Sequence, residues 1–442
     1  MVIEHWMIFG TFAQQRYFIY PTKDTYKGVI FNANMVSHAP DGLAGFLLEK
    51  TDNLTYIIDP LTHAFQHDPS AVMKNRTEVK SSIQGLAEAY GEPILSIVGK
   101  RPLLPADLND NSILEEFVKN CLDFEKEKLS IAMKGSDSLK YFIDLPSEAL
   151  KPYALVCPYF YMTETSIDRW IDLNINSIEL SAKYKDSCKL FAEIVVSQGI
   201  ILSDRRCNQI IDSYTKMDVD GFIIWIDDLD EHKAGGAELE GLLKLVRGLR
   251  NNEKYEVINL HGGYFSILTA GILGESALTG VAHGPEFGEH RPVVPVGGGI
   301  PTARYYLPKL HDRIKYRDTV RILSEKGWLN DASTFHDNVC NCSECRNTIG
   351  GNISNFTLFG GATAKVVKRG AGIVTMEFPT TETKERCLKH YLQRKKIEYH
   401  FSATASEAQL FQDLQDGIDQ YENVVGLEGV SHLELWKDIF QQ

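Results

Sequence analysis

Residues 189–227 read KLFAEIVVSQGIILSDRRCNQIIDSYTKMDVDGFIIWID. A nearly continuous apolar run, KLFAEIVV (189–196), gives way to a helical pattern, SDRRCNQIIDSY (203–214). A second apolar run, GFIIWID (221–227), follows. Short β-branched runs that are apolar on both faces belong to strands covered on both sides, as in a parallel sheet or barrel. With a helix between them they make a βαβ unit.

The same alternation extends in both directions. Strand-like runs occur at YIID (56–59), PILSIV (93–98), ALVCPYFYM (154–162), EVINLH (256–261) and LTGVAHG (278–284). Helical patterns occur at 81–91, 111–135 and 236–250. Roughly eight such units fit an α/β fold of the (β/α)8 TIM barrel type better than an open sheet. The barrel domain is expected over residues 1–330. Residues 331–442 change character: a cysteine cluster, a Gly-rich β-branched stretch (355–378) that reads as a hairpin, a helical run (380–401) with Thr or Glu as cap, and a last helical pattern. This tail reads as a zinc-binding α+β subdomain.

The 442 residues carry 46 Lys+Arg against 59 Asp+Glu, a net charge of −13. A chain whose whole surface grips nucleic acid is normally basic, so any such contact must use a local patch. The lysines of 360–370 with Arg386, Lys389, Arg394, Lys395 and Lys396 form one candidate, and a solvated helix face is the plainer reading. No apolar run reaches the ~18–20 residues of a membrane span. The start, MVIEHWMIFGTF, lacks the basic region and cleavage site of a secretory signal. The expected location is cytoplasmic, with no membrane partner.

Cys340-Asn341-Cys342-Ser343-Glu344-Cys345 is CxCxxC. A tight turn lets such thiolates share one ion, and zinc normally takes four Cys or His ligands. His390 is the expected fourth, with Cys387, His400 and His336 as alternatives. A set that closes at four ligands is structural rather than catalytic.

In a (β/α)8 barrel, chemistry sits on loops after the C-terminal ends of strands. His261 and His283 each end a strand run, and Glu286, Glu289, His290 and Arg291 follow His283 closely. Carboxylates, histidines and an arginine at one strand end can hold acid/base pairs with separated pKa values. Asp59 and Gln66 flank His63 on another strand-end loop, where turn capping is the plainer role for Asp59. Asp227, Asp228, Asp230 and Glu231 end the 221–227 run and suit amino groups of a purine-like base or a divalent cation, with a plain acidic loop in an acidic protein as an equal alternative. Gly297-Gly298-Gly299 can approach an anion closely, with a simple flexible loop as an equal alternative.

CxCxxC with a distant His behind a barrel-like region resembles the tRNA-guanine transglycosylase family. Asp59-Pro60-Leu61-Thr62-His63-Ala64-Phe65-Gln66 resembles that family's DSGGFQ segment. Residues 220–227 resemble its FDGYAVGGLA strand, and residues 280–291 align with its GVDMFDCVxPTR segment. The resemblance implies base exchange at C1′ of a guanine or 7-deazaguanine-type nucleobase, a pentosyltransferase reaction. Asp59 would be the acid/base group. Pro285 stands where the family has its nucleophilic Asp, so Glu286 or Glu289 would stand in, with His283 beside them. His63, Gln66, Asp227, Asp228, His261 and Arg291 would bind the base. Cys340, Cys342, Cys345 and His390 would hold structural zinc. The implied partners are a nucleobase or nucleotide, tRNA or DNA through the local basic patch, a protein from the same operon, and a second copy in a homodimer. The resemblance also implies an alternative: a catalytically silent subunit that holds a modified base or nucleic acid for a partner in bacterial antiphage defence.

Overall fold

A computed structural model describes residues 3–10, 26–50, 54–75, 77–135, 151–251, 253–284, 289–294, 302–369 and 372–441. The eight strands of its main sheet are β1 (Glu4–Phe9), β2 (Gly28–Asn32), β3 (Thr55–Asp59), β4 (Ala154–Cys157), β5 (Lys189–Val196), β6 (Gly221–Ile226), β7 (Glu256–Asn259) and β8 (Gly280–His283). All pair in parallel, and β1 lies between β2 and β8, so the first and last strands meet. The remaining seam, β3 against β4, is joined where Tyr153 N–H donates to Tyr56 O at 2.7 Å. In β4, the buried Glu125 carboxylate accepts from Val156 N–H at 2.7 Å. The architecture is an α/β (β/α)8 barrel, nearly closed and ringed by helices.

The strand period of two divides the apolar residues into two cores. Trp6, Ile8, Ile30, Ile57, Val156, Phe191, Val195, Ile223, Trp225 and Ile258 fill the barrel interior. Leu190, Ala192, Ile194 and Val196 of β5 face outward into the larger layer beneath the helices. Trp6 occupies room that its neighbouring strands leave free. A Cβ at Gly28 would come within 2.4 Å of the indole, and one at Gly280 within 3.0 Å.

The helices that cover this layer include α1 (Ala33–His38), α2 (Pro40–Lys50), α3 (Ser81–Tyr90), α4 (Asn111–Gly135), α5 (Ile167–Tyr184), α6 (Asp204–Tyr214), α7 (Gly236–Arg250) and α8 (Tyr264–Leu273). Ser203 caps α6 through its hydroxyl to Arg206 N–H at 3.4 Å. One expectation is corrected here: PILSIV is not a strand. Ile94–Ile97 is a short helix, and its buried residues, Ile94 and Ile97, are three apart, the spacing of a helix face.

Beyond residue 300 the chain forms a hairpin of β9 (Arg304–Leu307) and β10 (Asp312–Lys315) and then helices α9 (Tyr316–Glu325), α10 (Ala332–Asn338) and α11 (Ser343–Ile349). The expected hairpin of the tail pairs β11 (Ala362–Arg369) with β12 (Gly372–Pro379). Helices α12 (Thr381–Thr404), α13 (Glu407–Val425) and α14 (Leu427–Gln441) follow. Thr380 caps α12 by accepting from Thr383 N–H at 3.1 Å. This last region shares its core with the barrel. Tyr399 of α12 donates to Val281 O of β8 at 3.0 Å and stacks on His5 of β1, ring centroids 4.5 Å apart. Ser402 donates to Ile267 O of α8 at 2.7 Å. Helix α12 therefore lies over β8 and β1 beside α8, completing the helical ring. Among the described residues, no helix is long and apolar enough to cross a membrane.

Candidate functional site

CxCxxC lies between α10 and the start of α11, where Cys342 takes the N-cap position. Cys340, Cys342, Cys345 and His390 of α12 are all buried, with ligand atoms within 4.8 Å of one another. His390 Nε2 donates to Tyr306 O at 2.8 Å, which turns Nδ1 toward the three sulfurs at 3.8, 3.4 and 3.3 Å. Tetrahedral zinc bonds of ~2.3 Å to sulfur and ~2.05 Å to nitrogen place such atoms about 3.6 Å apart. The donor set therefore fits a metal ion. The charges point the same way: burial and the adjacent sulfurs push the Cys345 thiol well up. Burial also opposes ionisation of Cys340, but its sulfur neighbours and His390 outweigh it and hold that thiol well down. A cation removes this conflict. The other expected fourth ligands are engaged elsewhere or exposed. Cys387 donates to Phe359 O at 3.3 Å, His336 contacts Cys340 O, and His400 faces solvent.

The second feature is a cavity of about 250 Å³ at the C-terminal mouth of the barrel, lined among others by Asn32, Asn34, His63, His67, Lys80, Trp225, Arg291 and Val293. Asp59 ends β3 beside it and is buried. Its Oδ1 accepts from Leu61 N–H at 2.8 Å and from the Tyr159 hydroxyl at 2.7 Å. Burial raises the Asp59 carboxyl, although these two donors and Arg291 oppose the rise. His63 sits on the following turn with Nδ1 2.9 Å from the Tyr159 hydroxyl. Its ring stacks on Tyr159 and meets Trp225 edge-on at 5.2 Å. Burial, then His67 and Arg291, hold His63 far below the usual imidazole pKa, so it is neutral. His261 stands against Trp225 at 4.8 Å and is kept neutral by burial and by Arg291.

The remaining expected residues are placed as follows. Gln66 spends its amide on the Tyr161 backbone, accepting from N–H at 2.6 Å and donating to O at 3.1 Å. Asp227 accepts from Tyr161 hydroxyl at 2.8 Å and from Val293 N–H at 2.7 Å. Asp228 meets His290 Nδ1 at 2.7 Å. The acids after β6 thus strap down residues 289–294, and Trp225 Nε1 reinforces them by donating to Arg291 O at 3.0 Å. The strap brings the Arg291 guanidinium over the Trp225 ring at 5.9 Å, in the cavity wall. Glu289 turns the other way, accepting from Lys395 at 2.6 Å and Tyr391 at 2.8 Å. Lys395 is therefore fully buried and is not part of a surface basic patch. His283 faces outward under α12, its Nε2 3.1 Å from that of His5. Glu286 and Gly297-Gly298-Gly299 lie outside the described residues.

Sequence reading missed Tyr159, which bridges Asp59 and His63, and Glu193, whose carboxyl is buried within reach of the Asp59 charge. Glu193 lies inside the barrel on β5 with both carboxylate oxygens unpartnered among the described residues. The one available signal was an aromatic hydroxyl inside an apolar run, since ALVCPYFYM is strand only as far as Cys157.

No protein-family model matches the chain, and no curated protein matches it. One similar solved structure holds the CBM22-1 and GH10 modules of the Clostridium thermocellum endo-1,4-beta-D-xylanase 10B with xylohexaose. It matches at 9% identity and a TM-score of 0.38, over 64% of this chain and 59% of that one. A likeness that loose carries no argument about chemistry.

Proposed function

We propose that this chain is a divergent transglycosylase-like barrel whose mouth holds a flat nucleobase of the guanine or 7-deazaguanine type. The observation that carries the reading is the cavity wall. Trp225 and His63 put aromatic rings into it, Arg291 adds a cation, and Asp59 lies behind His63 through Tyr159. Aromatic faces stack bases, and one planar donor fork orients a carbonyl. About 250 Å³ is close to the lower end of the ~300–1,000 Å³ of small-molecule sites, which suits a small heterocycle. The Cys3His cluster would hold zinc, whose contribution is to tie residues 340–345 to α12.

Base exchange needs a carboxylate that reaches C1′. Glu289 is committed to Lys395 and Tyr391, which favours the second reading: a subunit that binds the base, or a nucleic acid carrying it, for a partner. Glu286 is the nucleophile of the exchange reading. Equilibrium binding of labelled guanine and 7-deazaguanine tests the cavity, and incorporation into tRNA or DNA tests exchange. Trp225→Ala is expected to weaken base binding about tenfold or more. Wild-type protein that binds neither base overturns the reading. Incorporation that is lost in Glu286→Gln establishes exchange.

A further inference from the structure

The hydrogen bonds beneath the cavity run in one direction. Asp59 Oδ1 already accepts from Leu61 N–H, an obligate donor. The Tyr159 hydroxyl donates its single hydrogen to the same oxygen. A hydroxyl that has given its hydrogen away can only accept from His63, so the hydrogen between them belongs to Nδ1. A neutral imidazole carries one ring hydrogen, which leaves Nε2 bare. That nitrogen has no partner among the described residues, and its ring forms part of the cavity wall. His67, four residues on, also lines the cavity, and its Nε2 has no partner among the described residues.

We infer that Asp59 and Tyr159 are positioning residues that lock His63 as a hydrogen-bond acceptor, so that this cavity selects neutral heterocycles presenting an N–H to it. This rests on the nucleobase reading and sharpens it. Arg291 and Lys80, in the same wall, disfavour a cationic ligand, so the N–H must come from an uncharged ring or amino group. A ligand offering only acceptors at that edge would face a bare lone pair and lose the contact.

The experiment has two independent arms on the full chain. In the first, long-range 15N–1H spectra of histidine-labelled protein report which ring nitrogen of His63 carries hydrogen, assigned by the signal lost in His63→Phe. Hydrogen on Nδ1, redistributed in Tyr159→Phe without change in circular dichroism, supports the lock. Hydrogen on Nε2 in the wild type overturns it. In the second, binding of 7-deazaguanine is compared with that of its mono-N-methyl derivatives. The wild type should discriminate against at least one methylated position by about tenfold or more, and His63→Phe should lose that discrimination. Equal discrimination by the variant overturns the inference while leaving base binding intact. Absence of any binding by the wild type overturns the nucleobase reading instead, and the nitrogen spectrum then decides the state of His63 alone.

Discussion

A carboxylate without a partner inside an apolar barrel is an unusual residue to keep. Glu193 is 1% exposed, and burial, reinforced by the charge of Asp59, raises its carboxyl well above the usual range. The unfolded chain releases this proton near the ordinary glutamate value, and the folded chain releases it only well above. The folded state therefore holds an extra proton in between. The residue's stabilising share is complete below about pH 4.5 and drains away as pH rises. In Glu193→Gln that drain is absent. The urea midpoint of the variant relative to wild type should thus move upward between pH 4 and pH 8. The slope is up to about 1.4 kcal/mol per pH unit until the folded carboxyl ionises. A difference that stays constant over that range would refute the assignment. None of this was legible in the residues around 193, because the neighbours that matter, Asp59 and Tyr159, come from other strands and loops.

Among the elements, β5 was legible to the residue. KLFAEIVV is apolar on both faces because one face lines the barrel and the other meets the helices. Strands β1 and β2 escaped notice. EHWMIF and GVIFN are short, lie at the start of the chain, and have no clear helical pattern between them to announce a repeat. Helix α5 was missed for a different reason. Its buried face carries Asn174, Ser177 and Ser181, which dilute the apolar period. Asn174 has a task there, bonding both Phe160 N–H and Phe160 O where the chain leaves the barrel wall. The interlock of β1 and β2 is directly testable. A methyl group at position 28 would meet the Trp6 ring at 2.4 Å and Thr55 O at 2.6 Å. Gly28→Ala is expected to cost about 1–3 kcal/mol, read as a lower urea midpoint with unchanged slope. An unchanged midpoint would mean that the indole has somewhere else to go.

For the whole molecule, the Cys3His cluster was the most readable part, since CxCxxC is a local pattern. The choice of His390 over Cys387, on the same helix, needed the fold to show which side chain meets the thiols. The mouth was half readable. Asp59, His63 and Arg291 were named from strand ends, yet their assembly depends on Tyr159, 100 residues from Asp59. The whole-molecule prediction concerns the ion. Purified protein should carry one zinc per chain. Metal bound ~1,000-fold above its dissociation constant contributes about 4 kcal/mol to folding. Stripping it with a chelator should therefore lower the thermal midpoint and open residues after 330 to protease before the barrel. Identical melting with and without the ion would show that the four residues hold nothing.

Helix α12 carries His390 at the thiols, Lys395 against Glu289, and Tyr399 on β8. At 1.5 Å per residue these three grips fall within about 14 Å of one stiff rod. Glu289 opens the strap that delivers Arg291 to the mouth. The Cys3His cluster and the strap behind the cavity wall thus lean on the same rod, through His390 and Lys395; were both places occupied, thermodynamic reciprocity would require any influence between the occupants to run both ways.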